Sequence, residues 1–265
     1  MCKILLVIIV IVLILIEIYN SCTEGFKSND SYENEGLTVI VTTSPIPIHP
    51  KIDMIVKVIE SIPTTNINKL IITCDGDPNN TEQYKEYKKS LANYAKQSSL
   101  NVQIVESNKQ VYLTGNIRNA LEHVFTKYIL VVQHDFAFTK FIDFASVMND
   151  MDTNPVIKYV RFNKRSNDEM IICDYKKNFN YYNLQGRNNV YTKTPCWSDN
   201  NHLTTLKYYK DTVMPLCKNV KFMEDEMMKL SNEYPEKFGT FIYGGSTESP
   251  SIIHYDGRGT ISFNL

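Results

Sequence analysis

The chain has 265 residues, a length that allows one large domain or two small ones. Its composition is that of an ordinary globular protein, and a formal net charge of -1 argues against nucleic acid as a partner, which needs a basic surface. The six cysteines show no CxxC or CxxH spacing, which argues against a structural zinc site. Their spacing leaves any disulfide pairing open.

The N-terminus carries an uninterrupted apolar run over residues 4–16. With its neighbours the run extends over 2–19, close to the roughly 17–25 residues that a membrane-spanning helix needs. No small residues follow in the spacing of a signal-peptidase site, so we expect an uncleaved signal anchor rather than a cleaved signal peptide. Lys3 precedes the run while Glu17 and Glu24 follow it. The positive-inside rule then predicts a single-pass type II membrane protein whose domain lies in a lumen or outside the cell.

The sequence divides into an anchor over 1–19, a polar stalk over 20–36 and one folded domain over 37–265. In the first half of the domain, apolar β-branched runs alternate with amphipathic helical patterns. In chain order the predicted elements are strand 37–44, helix 50–62, strand 69–77, helix 80–97, strand 101–108, helix 114–125 and strand 127–135. This alternation predicts an α/β fold with a mainly parallel, doubly wound sheet and helices on both faces.

The second half of the domain has a looser pattern. Its predicted elements are helix 141–151, a half-exposed strand at 157–163, helix 223–234, and a strand, a glycine turn and a second strand within 239–260. Residues 164–195 receive no assignment, and 202–217 is a mixed segment.

Polar residues stand where the first, second and fourth strands end. They are Thr42, Thr43 and Ser44, then Cys74, Asp75 and Asp77, then His134 and Asp135. Parallel sheets of this kind bind ligands beyond the carboxyl ends of their strands, so we expect the functional site at this rim. A carboxylate at the end of a buried strand is costly unless a charge meets it, which makes Asp135 the residue to explain.

Seven short motifs, taken in order, resemble a known family. They are TTSPIPIHP after the first strand, CDG after the second, GNIRNAL on the third helix, QHD ending the fourth strand, then CWSDNNHL, MEDEM and a terminal IIHYDGR. Together they resemble the GT-A-fold, nucleotide-sugar-dependent glycosyltransferases of the family-2 type, which occur in large DNA viruses and bacteria and often carry a type II anchor. The resemblance covers roughly residues 37–260.

The resemblance implies transfer of a sugar from a nucleotide-diphosphate sugar to a hydroxyl of a glycan or glycoprotein. It also implies Mn²⁺ or Mg²⁺ at the donor diphosphate and a carboxylate base that gives an inverting reaction. The metal motif of the family is Asp-x-Asp. Here Gln133 stands at the first position, and Asp135 retains the last.

Asp135 is therefore the predicted metal ligand, and a helix-capping role is the alternative. His254, in the terminal motif, is the predicted second ligand by resemblance, although a lone histidine is commonly a half-buried polar residue and Arg258 could neutralise phosphate instead. His134 is expected on the opposite side of its strand, because strand side chains alternate, and it is kept as a candidate donor contact.

The MEDEM motif supplies the predicted base. By the Glu-Asp motif of the family, Asp225 is the first choice and Glu224 the second. The alternative is an acidic first turn of a helix, which the helix dipole favours without any catalytic role.

The resemblance also implies residues that bind the donor. Asp75 would accept a hydrogen bond from the base or ribose, and Thr43 with the loop through Pro47 would wall the nucleotide. Arg118 lies off the apolar face of its helix, so it would either reach the donor phosphate or remain an exposed helix arginine.

The chain has a single tryptophan, Trp197, in a polar segment with Ser198 and Asp199. Aromatic faces stack on sugar rings, so we predict a sugar platform at Trp197, with ordinary packing as the alternative. Asp199 is grouped with it as a donor contact.

Two other classes of protein compete with a transferase. Because Gln133 replaces an acid, the chain could be a degenerate member that serves as a sugar-binding or structural surface protein. A nucleotidyltransferase of similar fold is disfavoured, because the segment TTSPIPIHP contains no glycine for a phosphate loop.

Overall fold

The computed structural model describes residues 34–168 and 179–255. The predicted anchor, most of the predicted stalk and Arg258 lie outside these residues. Within the described ranges, no helix is long and apolar enough to cross a membrane. The last residues of the predicted stalk belong to the first strand, which begins at Asn34.

The described elements follow in chain order. The strands are β1 (Asn34–Thr43), β2 (Ile67–Cys74), β3 (Val102–Glu106), β4 (Thr126–Gln133), β5 (Phe136–Phe138), β6 (Tyr159–Arg161), β7 (Asn183–Gln185), β8 (Val190–Lys193), β9 (His202–Thr205), β10 (Thr240–Tyr243) and β11 (Ile252–His254). The helices are α1 (Asp53–Ser61), α2 (Glu82–Gln97), α3 (Tyr112–Leu121), α4 (Phe144–Thr153), α5 (Leu206–Tyr208), α6 (Met214–Leu216), α7 (Glu224–Glu233) and α8 (Pro235–Phe238), with a π-helical turn, Tyr209–Val213, between α5 and α6.

A nine-stranded sheet forms the centre of the domain, in the order β3-β2-β1-β4-β9-β6-β10-β8-β7. Strands β3, β2, β1 and β4 are parallel, as predicted for the alternating half of the chain. Leu37, Val39 and Val41 on β1 are fully buried, as are the Ile40 and Thr38 side chains on its other face, because helices or loops cover a parallel sheet on both sides.

The second half of the sheet departs from the prediction of a mainly parallel arrangement. Strand β9 is antiparallel to both of its neighbours, β4 and β6, and β8 is antiparallel to β7 and β10. The strand predicted within 157–163 is present as β6, but its predicted half-exposure is wrong, because β6 lies between β9 and β10 and its three residues are buried. Interior strands are covered on both faces, which removes the exposed positions that an alternating pattern suggests.

A second, two-stranded sheet joins distant parts of the chain. Strand β11 pairs antiparallel with β5, and His254 stands opposite Phe136. The glycine turn predicted before β11 is present at Gly244, whose φ of 92° is in the left-handed region that favours glycine. This small sheet fixes the position of His254 at the carboxyl end of β4.

Candidate active site

A cleft of about 880 Å³ opens at the carboxyl end of β4. Five residues predicted from the sequence line it: Asp135, Asp199, Glu224, Asp225 and His254. They come from four separate parts of the chain, namely the end of β4, the segment before β9, the start of α7 and the end of β11. The strand-end rule therefore located the rim at which these side chains meet.

Asp135 and His254 are in direct contact. The Nε2 atom of His254 lies 3.1 Å from Oδ2 of Asp135, and the two side chains are 28% and 17% exposed. The His254 ring also stacks on Phe136, with ring centroids 4.2 Å apart. Oδ1 of Asp135 is buried and has no hydrogen-bond partner among the described residues. A buried carboxylate oxygen without a partner is costly, so this atom is suited to receive a cation or donor.

The carboxylates of Asp199 and Glu224 each accept a hydrogen bond from the backbone amide of the other residue. The Asp199 amide donates to Oε2 of Glu224 over 2.9 Å, and the Glu224 amide donates to Oδ2 of Asp199 over 3.2 Å. The Ser198 hydroxyl donates to the same Oε2 atom over 3.1 Å. This reciprocal pair fixes the start of α7 against the segment before β9.

Asp199 is the most perturbed carboxyl group of the cleft. It is 6% exposed, and Oδ1 has no hydrogen-bond partner among the described residues. Burial raises the pKa of Asp199 to about 7, and the charges of Glu224 and Asp225 act in the same direction. Perturbed carboxyl groups in a cleft are typical of functional sites.

Asp225 differs from its neighbour Glu224. Its side chain is exposed in the cleft and makes no hydrogen bond or ion pair with the described residues. Both acids lie in the first turn of α7, where the helix dipole favours negative charge. This position also agrees with the alternative that the acids only stabilise the helix. Of the two, Asp225 has the carboxylate that is available to a substrate.

Gln133, at the position where the family has its first metal-binding acid, has a structural role here. Its Nε2 atom donates to the Asp199 carbonyl over 2.6 Å, and its backbone amide donates to Oδ1 of Asn201 over 3.1 Å. Asn201 in turn donates to the Phe136 carbonyl. These bonds join the end of β4 to the segment that carries Asp199.

Trp197 is not a sugar platform. It is 0% exposed and packs against Tyr159, with ring centroids 3.9 Å apart, and against Tyr208, at 6.2 Å. A fully buried ring has no face for a sugar, so the alternative of packing holds. The sequence suggested a polar loop because the neighbours of Trp197 are polar, yet Ser198 and Asp199 are themselves buried against α7.

The structure does not bring the other predicted donor residues to this cleft. Asp75 is 3% exposed, and its carboxylate accepts from the backbone amides of Gly76, Val111 and Tyr112. It thereby stabilises the start of α3, where Tyr112 has a φ of 57°. Its oxygens are occupied, which leaves them poorly placed to accept from a base or ribose.

Three further candidates make local contacts. The Thr43 hydroxyl is buried 3.0 Å from the Tyr87 hydroxyl, and Arg118 donates from Nη2 to the Cys217 carbonyl over 3.2 Å. Arg118 thus caps the C-terminal end of α6 and is neither exposed nor in the cleft. His134 lies in the turn after β4 and does not line the cleft; its Nδ1 atom is 3.1 Å from the Thr42 carbonyl.

The loop after Thr43 lines a second cleft, of about 280 Å³. Ser44–Pro47, His49 and Pro50 form one wall, and Asp77, Thr81 and Tyr84 contribute to another. Strands β1 and β4 are neighbours, so this cleft opens at the same edge of the sheet as the first. The loop predicted to contact the nucleotide therefore lines a cleft. The side chain of Thr43 itself faces the protein interior.

Sequence reasoning missed Lys164, which lines the first cleft. It lies three positions after the end of β6, in the segment 164–195 that received no assignment. A basic residue just after a buried strand is a weak signal, and only the position of β6 in the sheet makes it informative.

Comparisons with known proteins are limited to structure. No protein-family model and no curated protein matches the chain. The crystal structure of TarS from S. aureus is similar, with 15% identity and a TM-score of 0.51 over 83% of this chain and 36% of that chain. The mannosyltransferase PcManGT from Pyrobaculum calidifontis, in complex with GDP-Man and Mn²⁺, has 14% identity and a TM-score of 0.45 over 74% of this chain and 53% of that one. The 4-diphosphocytidyl-2C-methyl-D-erythritolsynthase from Anaerococcus prevotii has 12% identity and a TM-score of 0.46 over 84% and 94%.

The chain has a GT-A-like fold. It spans about half or less of the length of TarS and PcManGT. At these identities the likeness concerns the fold, and the function rests on the residues of the cleft. In this GT-A-like domain, the cleft at the end of β4 combines a carboxylate–imidazole pair with four further acids, Asp199, Glu224, Asp225 and Glu233.

Proposed function

We propose that the domain is a glycosyltransferase that moves a sugar from a nucleotide-diphosphate sugar to a hydroxyl of a glycan or glycoprotein. The observation that carries the proposal is the cleft at the carboxyl end of β4, where Asp135 and His254 are in contact and Asp225 is free. A GT-A-like sheet places a ligand at this edge, and these side chains supply groups that sugar transfer needs.

Asp135 and His254 fit a divalent cation as a partial ligand set. Among the described residues no three His, Cys, Asp or Glu side chains form a metal group. Mg²⁺ is commonly held by only one or two protein carboxylates, with phosphate oxygens and water completing the shell, and Mn²⁺ accepts similar ligands. The unpartnered Oδ1 of Asp135 fits such a role. When bound, the cation neutralises charge on the leaving diphosphate.

Asp225 is the proposed general base. An attacking hydroxyl must lose a proton, and the exposed Asp225 carboxylate can accept it without breaking a hydrogen bond within the described structure. The Glu224 carboxylate accepts two hydrogen bonds, which suits it to hold α7 in place. Direct attack assisted by one base inverts the configuration of the sugar carbon.

The second cleft is the proposed place of the nucleoside. It lies at the same sheet edge as the metal ligands, and Tyr84 and Tyr87 line it beside the loop 44–50. Aromatic and proline faces suit the flat surface of a base. The first cleft then takes the diphosphate, the transferred sugar and the acceptor hydroxyl.

The location of the enzyme stays a proposal from the sequence. We propose a type II membrane protein with its domain in a lumen or outside the cell, and the disulfide at Cys196 supports an oxidising compartment.

A degenerate, sugar-binding protein is the second candidate, because the Gln133 side chain is committed to a structural hydrogen bond. A thermal-shift screen of nucleoside diphosphates and nucleotide sugars, with Mn²⁺, Mg²⁺ or EDTA, separates the two. Hits are then tested for release of the nucleoside diphosphate in the presence of glycan acceptors. A transferase binds the nucleotide sugar and releases the nucleoside diphosphate, whereas a degenerate member binds the nucleotide sugar without releasing the diphosphate. If the protein binds neither nucleoside diphosphates nor nucleotide sugars, both candidates are wrong.

A further inference from the structure

The first cleft is acidic, which poses a problem for a diphosphate ligand. Its lining contains the acids Asp135, Asp199, Glu224, Asp225 and Glu233. A nucleoside diphosphate is itself anionic, so these carboxylates repel it unless positive charge lies close to the phosphates. The cleft contains two lysines, Lys164 and Lys229.

The two lysines differ in how their charge is used. The Lys229 ammonium lies 3.6 Å from the Glu226 carboxylate, one helical turn away on α7. Lys164 makes no ion pair with the described carboxylates, although its side chain is half-buried. A half-buried ammonium without a counter-ion is available to an anionic ligand.

Lys164 lies at the end of the cleft that holds the Asp135–His254 pair. Its Nζ atom is 5.3 Å from the centre of the Phe136 ring, and the same ring stacks on His254. Phe136 also follows Asp135 directly in the chain. Lys164, Phe136, His254 and Asp135 thus form one contiguous group.

The backbone around Lys164 is anchored to the strand that carries His254. The Asn163 carbonyl accepts from the Ser251 amide over 2.9 Å and from the Ile252 amide over 3.3 Å. The Asn163 side chain, 7% exposed, donates to the Ser166 carbonyl and to Oδ1 of Asn167. Lys164 therefore keeps a fixed place relative to β11.

We propose that Lys164 binds the donor diphosphate directly and supplies affinity that does not depend on a metal ion. This inference rests on the proposed function. With Gln133 in place of an acid, Asp135 is the one carboxylate that the QHD motif offers to a cation, so fewer protein ligands hold it. The Lys164 side chain provides a cationic group at the same end of the cleft.

The test is isothermal titration of UDP and of GDP into the full-length protein, with EDTA and with MnCl₂. We expect the wild type to bind at least one of them in EDTA. Lys164→Met should weaken that binding by about tenfold or more, the usual effect of losing a charge-assisted hydrogen bond. Lys164→Arg should retain most of the affinity. Lys89→Met is the control outside the cleft, because Lys89 pairs with Glu86 three residues away as Lys229 pairs with Glu226, and it should bind like the wild type.

The outcomes separate this inference from the proposed function. If wild type and Lys164→Met bind equally in EDTA, or if the wild type binds only with MnCl₂, Lys164 does not supply metal-independent affinity, while the transferase proposal stands. If the wild type binds neither UDP nor GDP under either condition, both proposals are wrong for these donors. A thermal melt of Lys164→Met close to that of the wild type confirms that the variant is folded.

Discussion

His254 Nε2 lies 3.1 Å from Asp135 Oδ2, although the two residues are 119 positions apart in the chain. The pairing of β11 with β5 produces this contact, since it sets His254 opposite Phe136, the residue after Asp135. The backbone amide of Tyr255 also donates to the Asp135 carbonyl over 2.7 Å. The carboxyl end of β4 and the last described strand therefore act as one unit.

Asp135→Ala should abolish metal-dependent binding of a nucleoside diphosphate and abolish sugar transfer, while the protein stays folded. The physical reason is that Asp135 is the proposed cation ligand, and Oδ1 makes no hydrogen bond that the fold would lose. The contact of Oδ2 with His254 is lost, but the backbone pairing of β5 with β11 and the hydrogen bond from the Tyr255 amide to the carbonyl of residue 135 remain. Titration with and without MnCl₂, together with a thermal melt, measures both effects. His254→Ala should weaken the metal-dependent component by roughly tenfold or more, as loss of a supporting metal-site group typically does.

Asp211→Ala is the control for Asp135→Ala, because Asp211 is exposed, pairs with Lys207 and does not line the cleft. It should leave transfer unchanged. Full transfer activity in Asp135→Ala would remove Asp135 from the proposed cation site.

Asp225→Asn should reduce kcat by about 100-fold or more, the usual scale of general-base catalysis, with little change in donor affinity. Asparagine keeps the shape of the side chain but cannot accept the proton. Glu224→Gln is the matched comparison on the same helix turn. It should mainly lower thermal stability, because the Glu224 carboxylate accepts from Ser198 and from the Asp199 amide.

Steady-state kinetics in donor and acceptor separate the two roles. If Asp225→Asn loses donor binding instead of turnover, Asp225 is a donor ligand and not the base. If Glu224→Gln loses turnover while Asp225→Asn does not, the assignment of the base is reversed.

The sequence predicted the parallel half of the fold well. Apolar strands with 3.6-residue helical patterns between them define β1 to β4, and the strand-end rule then placed Asp135 at a cleft. Resemblance to a family added His254 as its partner. The contact itself depends on β11 pairing with β5, a long-range pairing that no local pattern specifies.

The second half was predicted less well, for reasons that particular residues show. Strands β7 and β8 are three and four residues long and contain Asn183, Gln185 and Thr192, so they lack an apolar alternation. Trp197 and Asp199 lie in a segment without the periodic apolar pattern of a helix or strand, yet tertiary packing buries both side chains. Lys164 becomes significant only because the sheet order places β6 beside β9.

Asp199→Asn should change how stability depends on pH. Burial raises the pKa of Asp199 from the ordinary value of 3.8 to about 7, and nearby Glu224 and Asp225 add to the shift. Between these values the folded state retains a proton that the unfolded chain releases, so the stability contributed by Asp199 declines as pH rises and is lost above about pH 7. Asparagine has no such proton.

Urea unfolding of wild type and Asp199→Asn, at several pH values between about 4 and 8, checks this prediction. The free energy of unfolding of the wild type, relative to that of the variant, should fall as pH rises through this window and then level off. A wild-type-to-variant difference that is constant with pH would show that the Asp199 pKa is not raised in the folded protein.

Trp197→Ala should destabilise the fold by about 3–5 kcal/mol, the usual loss for removing a buried Trp side chain. The indole is fully buried against Tyr159 and Tyr208, and the neighbouring His202 is held by the Tyr209 hydroxyl, 2.6 Å from its Nε2 atom. Trp197→Phe keeps part of this contact and should lose less. Urea unfolding measures both variants, and folded Trp197→Phe should keep the donor KM of the wild type. Because Trp197 is the only tryptophan, iodide quenching of the native fluorescence directly measures the exposure of its ring, and weak quenching is expected. Strong quenching, together with a raised donor KM in Trp197→Phe, would instead support the prediction that Trp197 stacks on the sugar.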